Sequence, residues 1–571
     1  MRTTKGLFGL LAVGVASLLA VTACGGGSGS STSGGSASGS FADCATKPLT
    51  CNSGTVKKGG SISYVLEKTI VGWNLNSADG NVLEGQEALD GITPTPFINT
   101  PDLQPTLNTD LMTSVTQTSS SPQTIVYKIN PDAVWSDGTP INVDDFTYMW
   151  KTMNGVDCKT CEAATNSGYD QVKSVTGSDN GKTVTVVFNT PYTDWKGLFG
   201  PLYPAHLANQ HGDLAASFKW LEDTQPTWSG GPFIISKYDK DNSITETANP
   251  KWYGKTKTSL DQLVFRIITD QTQEVPALQN NEVQAIFPQP DADIVNQIKQ
   301  IDGVNSTVGI GLQWEHIDIN LQNSMLKDLK LRTAIFDAID TKQIIAKTVG
   351  QFDSSIQPLG NHNFLPGMNG YKDVVSSTGQ GSGDIDKAKQ QLTSGGYTGV
   401  GTALKTPSGQ AVQFRCSFTQ GNVLRQQTCE LIQSELGQLG IKITPTSISD
   451  LGGTLSSGDY DLIDFAWVEP PFVFANAAQT WTSTSASNYG HWSNPQADAL
   501  LKDASQQTDN QKAIDDLNQA DTIMTNDAYV LPLYPKPYLL AAYANILNIR
   551  GNGTQAGPPY NDQEWGLATA S

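Results

Sequence analysis

The chain has 571 residues, with 36 Lys and Arg against 55 Asp and Glu and a formal charge of −19 at pH 7; so acidic a balance argues against nucleic acid or anionic lipid as a partner. Only 16% of residues are charged, 38% are hydrophobic and 54 are glycine, which excludes a disordered chain and fits a secreted, folded one. This length exceeds what one hydrophobic core organises and predicts two or three lobes.

In chain order, the first feature is a leader. Arg2 and Lys5 precede an apolar run over 6–23, broken only by glycines, Ser17 and Thr22, and Val21-Thr22-Ala23 leads into Cys24. This reads as a signal peptide over 1–23 with a lipobox, and predicts lipid on Cys24 that tethers the protein to the outer side of the cell membrane. The alternative is an uncleaved anchor, since the run approaches the length of a short span; either way the rest of the chain lies outside the cell. Residues 25–40 hold seven glycines and seven serines, a flexible coil with a reach of roughly 20 to 25 Å. The expected linker runs from Cys24 to residue 56. Setting Cys24 aside leaves six of the seven cysteines, and an even number in an oxidising compartment predicts disulfides. Spacing favours Cys44 with Cys51, Cys158 with Cys161, and Cys416 with Cys429. The Cys158-Lys-Thr-Cys161 spacing also suits a redox or zinc motif, but no second such pair or neighbouring histidine accompanies it.

Beyond residue 55 short strands alternate with amphipathic helices, without an internal repeat. Strands are predicted at 59–66, 124–129, 183–188 and 263–268 from alternation and β-branched or aromatic content. Asp137-Gly138 marks a turn, Pro140 blocks a helix running backwards, and Asn142 caps a helix with Asp144 and Asp145 in its first turn and Phe146, Met149 and Trp150 as its buried stripe. A helix at 274–281 leads to an apolar strand at 283–287. Residues 329–349 form a long amphipathic helix or a pair, and further helices cover 385–392 and 423–439, the latter ended by Gly440 before a strand at 441–444. A buried strand follows at 462–468, then helices over 495–524.

Catalytic constellations are missing from the pattern. The five histidines, His206, His211, His316, His362 and His491, stand in no metal-ligand spacing, and there is no HExxH, GxSxG or Walker-type loop. Asp144 and Asp145 are adjacent in a first helical turn and point apart, which fits capping and not a glycosidase pair. The expectation is a protein that is not an enzyme and has no cofactor.

Several blocks, in order, carry a resemblance. The stretch TIVYKINPDAVWSDGTPINVDDFTYMW (124–150), Gly230-Gly231-Pro232-Phe233, Asn249-Pro250-Lys251-Trp252-Tyr253-Gly254 with LDQLVFRII (260–268), Asp318-Ile319-Asn320 with Leu331-Arg332-Thr333-Ala334-Ile335 and Ala338-Ile339-Asp340, Asp386-Lys387-Ala388-Lys389 to Gly396-Tyr397, Gly458-Asp459-Tyr460-Asp461-Leu462, and Asn494-Pro495 to Pro532-Leu533-Tyr534 together resemble the family 5 extracellular solute-binding proteins of ABC importers, the oligopeptide, dipeptide and nickel-binding group. The resemblance implies an α/β, two-lobed periplasmic-binding-protein-like fold (type II) with an extra domain inserted in the first lobe. The implied division is 57–95, 213–312 and 531–571 for lobe I, 96–212 for the inserted domain and 313–530 for lobe II, with hinges near Gln313 and Pro532. It also implies a monomer that captures a peptide or peptide-like solute by closing its lobes and delivers it to the importer's permease subunits. The same fold serving as a non-transporting sensor or scaffold in envelope metabolism, or as an exported hydrolase, are the alternatives.

In peptide-binding members of that family, an aspartate in the loop after the DYDL strand holds the peptide amino group. Here residues 465–474 read FAWVEPPFVF, with Glu469 as the only acid and a poor match for that aspartate; the departure speaks against a free-amine peptide and leaves room for an apolar, glycosylated or otherwise uncharged ligand. Trp467, Phe472 and Phe474 are candidates for the cleft wall, as are Trp314 and His316 beside the first hinge and Trp73 and Asn74 in the early loop. Arg415 and Arg425, flanking a strand-to-helix turn, are candidates for a ligand carboxylate. Against these stand ordinary readings, core packing for the aromatics and structural ion pairs for the arginines.

Overall fold

The computed structural model describes residues 40–569. The expected signal peptide, the lipidated Cys24 and the linker up to residue 39 lie outside the described residues. Among the described residues, no helix is long and apolar enough to cross a membrane.

The architecture is α/β around one ten-stranded mixed sheet. From edge to edge its strands are Lys442–Ile448, Gln413–Thr419, Leu462–Val468, Val304–Ile319, Val530–Tyr543, Ala285–Ile286, Ser61–Leu66, Gln262–Ile267, Ser243–Ala248 and Phe233–Asp239. Two long strands, Val304–Ile319 and Val530–Tyr543, run side by side through the middle and belong to both halves of the sheet. On one side of them Ser61–Leu66 pairs in parallel with Gln262–Ile267 and Ala285–Ile286. On the other side Gln413–Thr419 pairs in parallel with Lys442–Ile448 and Leu462–Val468. Each half has its own apolar core, one around Tyr64, Phe265 and Trp565, the other around Ile335, Cys416 and Leu462.

The central ladder is creased. Its register shifts between Ile310 and Trp314 and again between Glu315 and His316. Pro532, Pro535 and Pro537 lie in the facing strand, and a proline has no N–H to donate to a ladder. At the crease Leu312 pairs elsewhere. Its N–H donates to Gly553 O at 2.9 Å and its carbonyl accepts from Glu469 N at 2.7 Å. Gly311 is required there, since a Cβ would lie 2.5 Å from Gly553 O.

A separate antiparallel sheet holds Met112–Ser120, Gln123–Ile129, Thr183–Phe188 and Val172–Ser178 in that order. Strict alternation in Thr183–Phe188 buries Val184, Val186 and Phe188. The helix Val143–Met153 packs on it behind a capping box: Asn142 Oδ1 accepts from Asp144 N at 2.7 Å, and Asp145 Oδ2 accepts from Asn142 N at 3.0 Å. Asp145 does more than cap. It is buried and also accepts from Ala205 N at 2.9 Å, and burial pushes its carboxyl up to about 6.

Most expected elements are present with shifted ends. The 329–349 stretch is a pair, Leu329–Ala338 and Thr341–Lys347, split where Asp340 caps the second helix by accepting from Gln343 N at 2.9 Å. The strand expected at 283–287 is reduced to Ala285–Ile286, and the 495–524 region is two helices, Pro495–Ser505 and Asn510–Asn526. Sulfur–sulfur bonds join Cys44 to Cys51, Cys158 to Cys161 and Cys416 to Cys429.

One expectation needs correcting. Residues 40–56, read above as the end of a linker, are packed on the body. Asn52 Nδ2 donates to Ile546 O and Ile549 O at 3.2 and 2.9 Å, Arg550 Nε donates to Cys51 O at 2.9 Å, and Phe41, Cys44 and Cys51 are buried. Phe41 and the cysteines supply apolar area that the Gly/Ser run before them lacks.

Candidate functional site

A cavity of about 360 Å³ opens beside the crease. Its walls come from the carboxyl ends of two neighbouring parallel strands: Tyr64, Val65, Glu67 and Lys68 at the end of Ser61–Leu66, and Phe287 to Gln289 after Ala285–Ile286. The helix Leu83–Leu89 adds Glu84, Gln86 and Glu87, the long strands add Gln313, Lys536 and Tyr538, and the following segment adds Thr554 and Gln555. Crevices outside the carboxyl ends of parallel strands are where open α/β sheets bind ligands. The lining alternates amides with apolar and aromatic surface, as ligand cavities do.

Its charged groups differ in how well they are paired. Tyr64 OH donates to Glu87 Oε1 at 3.0 Å, and burial holds both the phenol and the carboxyl well above their usual ranges. Glu84 is 3% exposed; its Oε1 lies 3.0 Å from Lys68 Nζ, and its Oε2 has no hydrogen-bond partner. Burial, aided by the Glu84 charge, raises the Glu67 carboxyl, whose Oε1 is likewise unpartnered. On the long strand, burial lowers the pKa of Lys536, whose Nζ stands 3.9 Å from Glu315 Oε1. Glu315 itself is gripped by Arg425 through Nε and Nη2 at 3.0 and 3.1 Å. A second chamber of about 550 Å³ shares Gln289, Lys536 and Pro537 with the first and continues toward the start of the helix Val423–Gly437.

None of the ten residues singled out from the sequence lines the first cavity; from the 467–474 loop neither Trp467 nor Glu469 reaches it, but Val468 between them does. Glu469 is 3% exposed and occupied: Trp314 Nε1 donates to its Oε1 at 3.1 Å and Asn476 Nδ2 to its Oε2, and burial pushes its carboxyl up to about 7. Trp314 and His316 are fully buried beneath the crease, with His316 Nδ1 2.8 Å from Asp318 Oδ1 and its ring among Trp314, Phe465 and Trp467. Trp467 stacks on Tyr489. Trp73 packs edge-on to Tyr238 in the core of the half that holds Ser61–Leu66, and Asn74, fully buried, donates through Nδ2 to Phe218 O at 3.3 Å. Arg415 pairs with Asp459 at 2.8 Å and Asp461 at 3.4 Å, and Arg425 with Glu315, so both guanidinium groups are engaged within the protein.

Phe472 and Phe474 line a different cavity, of about 420 Å³, with Trp195, Lys196 and Phe364. Here the segment around Thr193 is fastened to two helices. Asp194 Oδ2 accepts from Ala475 N at 2.7 Å, in the first turn of Val473–Trp481, which lacks a cap of its own. Thr193 N donates to Ser505 O at 3.1 Å, and its hydroxyl accepts from Gln507 N at 2.8 Å. Burial pushes the Asp194 carboxyl up to about 7.

The cavity residues that sequence reasoning passed over, Glu67, Glu84, Glu87 and Lys536, carried a signal in part. Glu67 directly follows a predicted strand, and Glu84 and Glu87 are three apart on one helical face. Among the described residues, no group of three or more His, Cys, Asp or Glu is placed to hold a metal ion.

Comparison with known proteins gives the family and the fold. The family model described as bacterial extracellular solute-binding proteins, family 5 Middle, matches residues 106–489. The oligopeptide-binding protein OppA of Mycobacterium tuberculosis (strain ATCC 25618 / H37Rv) is 31% identical over 513 residues, covering 87% of this chain and 84% of the relative. Among solved structures, the periplasmic EDTA-binding protein EppA superimposes with a TM-score of 0.88 at 37% identity, covering 92% of this chain and 99% of that one. The oligopeptide-binding protein AppA from Bacillus subtilis, solved with a nonapeptide, gives 0.70 at 19% identity over 90% of this chain and 100% of its own, a likeness of fold alone.

Proposed function

Because this chain belongs to the bacterial extracellular solute-binding proteins of family 5, and so is a substrate-binding protein of the ABC-transporter kind with the type II two-lobed fold, we propose that it captures peptides or peptide-like solutes and hands them to the permease of an importer. In this reading the lobes comprise 57–95, 213–312 and 531–571 on one side and 313–530 on the other, 96–212 is inserted in the first, and the protein works as a monomer held to the membrane by lipid on Cys24. Closure about the crease would enclose the solute in the cavity.

The observation that carries this reading is the cavity lining. Gln86, Gln289, Gln313, Thr554 and Gln555 offer amide and hydroxyl groups of both hydrogen-bonding senses among Val65, Phe287, Val468 and Tyr538, which suits a backbone of alternating N–H and C=O groups. A second solute class comes from the EDTA-binding relative, whose identity to this chain is 37%. A polyaminocarboxylate chelate is anionic, and it would meet Lys68 and Lys536 but also Glu67, Glu84 and Glu87, so the charge balance favours the peptide.

Thermal unfolding with added candidate solutes tests the choice, since a ligand of the native state raises Tm by mass action. A pool of short peptides is expected to raise Tm in a concentration-dependent way, and magnesium EDTA is expected to leave it unchanged. A rise with the chelate alone would reverse the assignment.

A further inference from the structure

The amino group of a peptide finds no open partner in the 467–474 loop, because Trp314 and Asn476 already occupy both oxygens of Glu469, its only acid. Two carboxylates elsewhere on the cavity wall each have an oxygen to spare. Glu84 is 3% exposed and shares Oε1 with Lys68, whose side chain is 71% exposed, while its Oε2 is buried without a donor. Glu67 accepts from Gln271 Nε2 at 3.3 Å through Oε2; the Gln289 backbone N–H also faces this carboxylate and favours its charged form, but makes no hydrogen bond to Oε1, which is buried. The third acid, Glu87, is taken up by Tyr64 OH.

A buried carboxylate oxygen without a donor is costly; Glu246, Glu274 and Glu435 carry others, but of the described residues with such an oxygen only Glu67 and Glu84 line this cavity. An alkylammonium brings three N–H donors and a positive charge, which is what two such oxygens on one wall lack. On the long strand of the same cavity, Lys536 Nζ has its nearest carboxylate, Glu315, at 3.9 Å, longer than a hydrogen bond. Glu315 is at the same time committed to Arg425, so Lys536 retains donors for an anionic group.

We propose that the cavity binds a zwitterionic peptide with its ammonium against Glu67 and Glu84 and its carboxylate toward Lys536. The inference rests on the peptide reading above. It moves the amine anchor from the loop after Leu462–Val468 to the strand end and helix of the other half of the sheet, and so fixes which way round the solute lies.

Apparent affinities for a random tetrapeptide library, its N-acetylated form and its C-amidated form, taken from the concentration dependence of Tm, test this directly. N-acetylation is expected to weaken binding about tenfold or more, the size of a lost charge-assisted bond. In Glu84→Gln and Glu67→Gln that penalty is expected to shrink to about twofold, while Lys536→Met is expected to keep it and to lose the penalty for C-amidation. Glu67→Gln carries the comparison if Glu84→Gln no longer melts cooperatively. Equal binding of free and acetylated peptides, or an acetylation penalty that survives both glutamine substitutions, overturns the proposal and leaves the peptide reading standing. A library that shifts Tm in none of its forms overturns both.

Discussion

At the scale of single residues, Glu469 shows how burial turns an apparent ligand group into a structural one. Its carboxylate accepts from the indole of Trp314 and the amide of Asn476, and its pKa is raised from 4.5 to about 7 by burial. A carboxyl raised on folding binds its proton more tightly in the native state. Its contribution to stability is therefore complete below about pH 4.5 and is lost as pH rises through about 7. Glu469→Gln keeps an acceptor for Trp314 and removes the titration. In urea unfolding, the variant is expected to gain on the wild type by about 3 kcal/mol between pH 4.5 and 8, on about 1.4 kcal/mol per pKa unit; a difference flat with pH would refute the assignment. The sequence made the 467–474 loop stand out through its aromatic residues but not the parity of its side chains. Neighbours along a strand face opposite ways. Here Val468 takes the cavity side and Trp467 stacks on Tyr489, and with bulky residues at both parities nothing local says which face is which.

At the scale of elements, several helix starts were legible where the cap is local, though those behind Asp213, Asp291 and Asp450 were passed over. Asn142, Asp384 and Asn422 each stand directly before their helix and accept from one of its first amides. Val473–Trp481 is different. Phe472 stands at its cap position, and the accepting carboxylate, Asp194, comes from 281 positions away, so no window of sequence contains both halves of the interaction. Under the division proposed above, this bond and those of Thr193 join the inserted domain to the second lobe, and opening breaks them. Asp194→Ala is expected to cost about 1 kcal/mol, the usual loss for a cap, and to raise the ligand-free radius of gyration in solution scattering. Asp194→Asn retains an acceptor and is expected to leave both quantities near the wild type. An unchanged radius in Asp194→Ala would show that the contact does not hold the lobes together.

At the scale of the whole molecule, the closure proposed above would bend the chain at the crease in the central ladder. Leu312 bonds to Gly553 and Glu469 in place of the facing strand, and Gly311 lies against Gly553 with no room for a side chain. Gly311→Val is expected to destabilise the fold by about 1 to 3 kcal/mol through overpacking and to reduce the peptide-induced rise in Tm more than the loss of stability alone explains. A full ligand response in a folded Gly311→Val protein would place the bending elsewhere. The alternation of strands and helices was legible from periodicity, and the two-lobed fold from the family resemblance. The resemblance put hinges near Gln313 and Pro532, but the crease's pairing was not legible, because Pro532, Pro535 and Pro537 lie in a strand whose sixteen-residue partner, Val304–Ile319, is distant in sequence.

The two long central strands also dictate an order of assembly. The three strands from Gln413 to Val468 are neighbours in the chain and can zip together from local encounters. Ala285–Ile286 instead sits between Ser61–Leu66 and Val530–Tyr543, so that half of the sheet stays open until nearly the last residue has been synthesised. Asn52 must wait longer still, for Ile546 and Ile549. A sheet whose two halves are joined only when Val530–Tyr543 meets Ala285–Ile286 and Val304–Ile319 completes its fold after nearly all of the chain has been made.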